Sequence, residues 1–219
     1  MKIADNLKKL KSQIGENVKL IAVSKYHTNE EVLEAYEAGQ RDFGENKVQD
    51  LDDRKDDLPD DIRWHFIGHL QRNKVRFIAP YIHYIHAIDS ARLLREINKR
   101  AKQENRVIPC LLQLKIASED SKYGLTEDEI LAILEDPQIG DLKNVEIRGL
   151  MAMATFTDDK DQINAEFEKV KLLFNKLQNL PLTENIRIEE MSMGMSQDYK
   201  IAVANGSTMV RIGSTIFNS

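Results

Sequence analysis

The sequence predicts an α/β fold, a closed (β/α)8 TIM-type barrel with an extra N-terminal helix, built as a single domain over residues 1–219. Three observations lead there. Short β-branched or apolar runs alternate with helical patterns along the whole chain. The runs number eight, with no Gly/Ser-rich linker to divide them. They are also nearly continuously apolar, as strands covered on both faces must be. Strands separated by helices imply parallel crossovers, and hence a closed barrel or an open doubly wound sheet. The barrel is preferred because the count reaches eight without a topological break.

The elements follow in order. Residues 2–13 form the extra helix, polar and lysine-rich with an amphipathic pattern. Val18–Lys25 reads as the first strand. Asn29–Ala38 reads as a helix with Asn29 as its cap, acidic residues in its first turn and Gly39 as its stop. Asp42–Glu45 is the shortest strand signal, and the run Asp50–Asp61 reads as a solvated acidic stretch. Strands follow at Arg63–Gly68, Tyr84–Ile88, Val107–Ile116, Val145–Ala154, Ile188–Met195 and Met209–Gly213. Between them Ser90–Asn105 opens on a serine cap, and Thr126–Glu135 opens on Thr-x-x-Glu, a capping box. Asp159–Gln178 carries Ile163, Phe167, Val170, Phe174 and Leu177 at helical spacing, and Asp198–Ala204 runs into the Asn205–Gly206 stop.

Composition excludes several classes. The 31 Lys and Arg against 36 Asp and Glu leave a net charge of −5, with no basic tract to bind nucleic acid. Apolar runs such as Val107–Leu114 are too short to span a bilayer. No signal peptide opens the chain, and the single cysteine, Cys110, lies in an apolar run as a structural thiol. A cytoplasmic protein is expected. His65, His69, His83 and His86 fit no standard zinc spacing, so no metal is expected. His65 reads as a packed or hydrogen-bonded barrel residue and His69 as a rim residue. The methionines Met151, Met153, Met191, Met193, Met195 and Met209 read as core filling.

In a (β/α)8 barrel the chemistry stands at the C-terminal ends of the strands. Lys25 ends the otherwise apolar first strand, either snorkelling to solvent or serving as an amine that attacks a carbonyl. The last two strands end in Gly194–Met195–Ser196 and Gly213–Ser214. Backbone N–H groups beside hydroxyls, with no bulky Cβ nearby, suit a phosphate dianion. A lysine on the same rim then favours a phosphate-bearing aldehyde. Arg211, two residues before Gly213, points to the same face; it can donate to a ring nitrogen or sit in a buried ion pair.

Seven blocks carry a resemblance. They are Ala22–Lys25, Phe43–Asn46, Trp64–Lys74, Ser118–Gly124, Arg148–Met151, Met191–Ser196 and Gly206–Ile212. In order and combination they resemble the pyridoxal phosphate homeostasis proteins, the YggS/PROSC family, from roughly residue 3 onward. The resemblance implies the fold of the alanine racemase barrel domain, with pyridoxal 5'-phosphate (PLP) held as an imine on Lys25. It places Asn46 beside the cofactor ring, Ser196, Gly213 and Ser214 at the phosphate, and Arg211 opposite the pyridine nitrogen. It implies a carrier or buffer of PLP without established turnover, serving PLP-dependent apo-enzymes. It offers Lys122 as a second, transient contact.

The chain departs from the family in three places. Tyr26–His27–Thr28 replaces a Thr-Lys-Pro-like loop, Ser214 replaces a usual threonine, and Asn218 stands where glycine is common. The rival reading is a PLP-dependent amino-acid racemase. Alanine racemase uses a further β domain for a second catalytic base and for dimerisation. The sequence runs out at Ser219, just past the eighth strand, so a monomeric carrier is the expectation.

Overall fold

Eight parallel strands close into one barrel in sequence order, the eighth pairing with the first through Lys19↔Met209 to Ala22↔Ile212. The computed structural model describes residues 2–117 and 123–217; Lys122 and Asn218 lie outside these. The strands are β1 Lys19–Val23, β2 Asp42–Glu45, β3 Arg63–Phe66, β4 Tyr84–Ile88, β5 Ile108–Leu114, β6 Val145–Ala152, β7 Ile186–Ser192 and β8 Met209–Ile212. The helices are α1 Lys2–Ile14, α2 Asn29–Glu37, α3 Val48–Arg54, α4 Val75–Ile78, α5 Ala91–Gln103, α6 Glu127–Glu135, α7 Pro137–Gly140, α8 Lys160–Gln178, α9 Tyr199–Ala204 and α10 Ser214–Phe217.

The helices cover the strands' outer faces because each carries an apolar stripe. On α8 the stripe is Ile163, Phe167, Val170, Phe174 and Leu177, all buried. The extra helix α1 buries Ile3, Leu7, Leu10 and Ile14 and packs beside α2 and α10. Side-chain bonds fix its place: Asn6 donates to the Ile216 carbonyl at 3.0 Å, and the Tyr199 hydroxyl donates to Gln13 at 2.6 Å.

The local signals fare unevenly. The capping box at Thr126 forms, and Ser90 caps α5. The cap of α2 is Thr28 rather than Asn29, since Thr28 and Glu31 make a reciprocal capping box of their own. β2 and β4 match their apolar runs, and the other six strands are shorter than theirs, because a strand ends where its partner turns away, not where hydrophobicity ends. β1 stops at Val23, and Lys25 sits in the following turn, where the His27 N–H closes on the Ser24 carbonyl at 3.0 Å. Tyr26 completes that turn with a left-handed φ of 69°.

The acidic run needs a larger correction. It contains most of α3 and buries Leu51 and Leu58 against the barrel, and Arg54 turns inward to the buried Glu45. Charge density hid two apolar anchors, Leu51 on α3 and Leu58 in the turn that follows it.

Candidate functional site

A cavity of about 770 Å³ opens at the C-terminal ends of the strands, and Lys25, Asn46, Ser196, Arg211, Gly213 and Ser214 all line it. These six residues come from four separate stretches of the chain, and the barrel brings them to one mouth. His69 stands on the same rim, paired with Asp89 at 3.0 Å and stacked on Tyr123 with centroids 3.8 Å apart.

The turn that carries Lys25 is braced from below. The Glu45 carboxylate accepts from the Ser24 hydroxyl at 2.7 Å and from Arg54 at 2.8 Å. Arg54 also donates to the His27 carbonyl at 2.8 Å. Burial pushes the Glu45 carboxyl up, opposed by its bonds to Ser24 and Arg54. Arg54, read from sequence as part of a solvated run, therefore holds the Lys25 turn on β2. His27 stacks on Phe217 at 4.4 Å and so ties the turn to α10. Nothing in local sequence pairs Arg54 with Glu45, nine residues apart across a strand end.

Two glycines set the depth of the floor. A Cβ on Gly68 would lie 2.4 Å from the Asn46 carbonyl oxygen, so only glycine lets β3's exit pass beneath Asn46. A Cβ on Gly213 would meet the Val23 carbonyl oxygen at 2.9 Å, which locks the ends of β1 and β8 together. Beside them Asp198 accepts the Met195 N–H at 2.5 Å and shapes the turn that presents Ser196; burial raises its carboxyl's pKa.

Arg211 lies under the mouth, 3% exposed. Its Nη1 donates to the Ser192 carbonyl at 2.7 Å and to the Ser192 hydroxyl at 2.6 Å, and its Nη2 donates to the Ala152 carbonyl at 2.9 Å. Burial pulls its pKa down to about 10, with Asp198 opposing, so it still carries its proton at neutral pH. Nε has no acceptor among the described residues, and the buried Asn46 Oδ1 has no partner there either.

At the opposite end, Asp42, His65 and His83 bring ligand atoms within 4.8 Å of one another. Asp42 is already engaged by Arg63 through both oxygens, at 2.9 and 2.6 Å, and by His65 Nε2 at 3.0 Å. That arrangement is an ion-pair cluster. His65 is fully buried and hydrogen-bonded, as expected of a barrel residue. Cys110 is buried too, and burial pushes its thiol pKa far up, as suits a structural thiol.

A family model for the alanine racemase N-terminal domain matches residues 1–219. Curated relatives named pyridoxal phosphate homeostasis protein run the length of the chain. One from Schizosaccharomyces pombe is 36% identical, over 94% of this chain and 85% of its own length. Another from Vibrio alginolyticus is 38% identical over 93% and 87%. The chain belongs to the pyridoxal phosphate homeostasis family. Among solved structures of similar proteins, PipY of Synechococcus elongatus with PLP bound is 37% identical. It superposes with a TM-score of 0.89, over 99% of this chain and all of PipY. Alanine racemase from Bartonella henselae is 17% identical with a TM-score of 0.74; this chain spans 58% of that protein, and the likeness is one of fold.

Proposed function

We propose that the chain is an intracellular PLP carrier or buffer, holding the cofactor as an imine on Lys25 at the mouth of a single-domain barrel. The observation that carries this reading is the convergence of the Lys25 amine, the Ser196 and Gly213–Ser214 ends and the Arg211 guanidinium on one cavity. The relatives that match along the whole chain support it, one of them solved with PLP bound.

The donor set fits the group. The cavity is large enough for PLP. Ser196, Gly213 and Ser214 offer hydroxyls and amides for a phosphate, and Arg211 Nε and Asn46 Oδ1 are a free donor and a free acceptor for the ring. PLP when bound supplies an aldehyde to the lysine and an electron-withdrawing ring. Arg211 keeps its proton and so donates to the ring nitrogen, leaving it unprotonated. That limits the ring as an electron sink and suits holding PLP better than turning over amino acids. In this reading the protein acts in the cytoplasm as a monomer and passes PLP to dependent apo-enzymes.

Borohydride reduction of the PLP-loaded protein, followed by peptide mapping, tests the assignment. A phosphopyridoxyl group on Lys25 is expected. Label chiefly on another lysine, or none after loading, overturns it.

A further inference from the structure

Behind Arg211 a line of buried side chains runs down the barrel interior. The Ser192 hydroxyl, which accepts from Arg211, lies 2.9 Å from His86 Nδ1. His86 Nε2 lies 2.8 Å from His65 Nδ1, and His65 Nε2 lies 3.0 Å from Asp42 Oδ1. Ser192, His65 and His86 have no exposure at all, and Asp42 is 6% exposed. The line starts at the cofactor mouth and ends at Asp42 in the cleft at the barrel's other end, where Arg63 also stands.

The proton order along this line follows from its two ends. Arg211 can only donate and the Asp42 carboxylate can only accept. Burial alone would raise the Asp42 pKa, but the bonds from His65 and Arg63 hold it well below the ordinary range. Burial also lowers both histidines' pKa values, with the Asp42 charge opposing at His65, so each is a neutral ring with one donor and one acceptor. His65 therefore gives Nε2–H to Asp42 and accepts at Nδ1. His86 gives Nε2–H to His65 and accepts at Nδ1, and the Ser192 O–H donates to His86 while its oxygen accepts from Arg211. Every position closes, and every bond points from Arg211 toward Asp42. An imidazolium at His86 would aim Nδ1–H at Ser192, a second donor beside Arg211, and leave the hydroxyl hydrogen without an acceptor.

We propose that Asp42, His65, His86 and Ser192 are positioning residues for the cofactor ring, a directional hydrogen-bond relay that fixes Arg211 and couples the charge at Asp42 to the ring nitrogen. This rests on the reading that Arg211 faces that nitrogen. Bonds in such a chain polarise one another in a low-dielectric interior, so a change at one end is felt at the other. Arg211 supplies the contact; the relay sets its orientation and how strongly it donates.

The experiment compares the full-length PLP-loaded parent with Asp42→Asn, Ser192→Ala and the double variant. The readings are the imine absorption band, its pH titration and the rate of PLP loss. Each single change is expected to shift the band in the same direction and to weaken PLP retention about threefold to tenfold, the size of one net hydrogen bond. The double variant should match Ser192→Ala alone, because deleting the hydroxyl already cuts the line. Parental values in Asp42→Asn, or effects that add in full, overturn the relay. If Ser192→Ala fails to fold, nitrogen NMR of the histidine rings in the unloaded parent decides. Neutral Nε2–H tautomers at both His65 and His86 are expected, and any other state at either ring overturns the proposal. A parent that takes up PLP with no imine at Lys25 sinks the cofactor assignment instead, while the ring spectra still judge the proton order.

Discussion

The two sides of the barrel wall are built on opposite principles. Outside, between strands and helices, lies one continuous apolar cluster that includes Phe43, Leu51, Ile85, Phe167 and Leu177. Inside, Asp42, His65, His86, Ser192 and Arg211 are just as buried, and each is hydrogen-bonded. A second, smaller apolar cluster of Tyr84, Ala87, Leu111, Met151 and Met209 lies apart from the first, with Tyr84 stacked on His65. Apolar burial is non-directional and proportional to area, so the outer layer supplies bulk stability with little demand on geometry. Buried polar groups are costly unless satisfied, and once satisfied they admit few alternatives. The shell thus holds the fold, and the interior aims Arg211.

The largest expected effect belongs to the shell. Phe167→Ala should lose about 3–5 kcal/mol of stability, read from the denaturant midpoint. Its folded fraction should keep the parent's PLP spectrum, and a changed spectrum would break the division between the two layers. At the mouth, Ser196→Ala combined with Ser214→Ala should cut PLP affinity by about 3 kcal/mol, since each bond to a charged group contributes roughly 1.5–3 kcal/mol. Pyridoxal, which has no phosphate, should be nearly unaffected, and equal losses for both ligands would place the phosphate elsewhere.

Inside the barrel, Arg211→Ala should weaken PLP retention by about 1.5–3 kcal/mol, or roughly 10- to 100-fold, and shift the imine band. If PLP binds as tightly as before with the same band, Arg211 serves the fold alone.

A further effect is a slope with pH. His65 and His86 are held below their ordinary pKa of 6.5 by burial, and His83 is lowered to about 4 for the same reason. The unfolded chain binds these protons first, so stability is full above pH 6.5 and falls as pH drops toward the folded values. Each histidine contributes about 1.4 kcal/mol per pH unit within its window. Glu45 and Asp198, raised by burial, act in the opposite sense from the ordinary carboxylate range upward and blunt the slope. Melts between pH 7 and 5 check the sign. Stability that rises on acidification would mean that the interior histidines are already charged.

Much of this was legible in the chain. Eight apolar runs, their caps and the order of strands follow from periods of two and 3.6 residues, which are local properties. Lys25, Ser196, Arg211, Gly213 and Ser214 were legible as candidates because strand ends of a parallel barrel face one mouth, so counting strands locates them; Asn46 came from the family resemblance. Arg54 was not, because a charged run gives no sign of which charge turns inward to Glu45.

By itself, then, the sequence determined the layers, the alternation and the rim lysine, arginine and serines. Only the tertiary structure decided the interior line. His86 reaches Ser192 across 106 residues, from β4 to β7, strands that are not neighbours in the barrel. Arg211 on β8 likewise reaches Ala152 on β6. No periodicity records which residues meet across a lumen, because that depends on barrel closure and stagger, which are properties of all eight strands together.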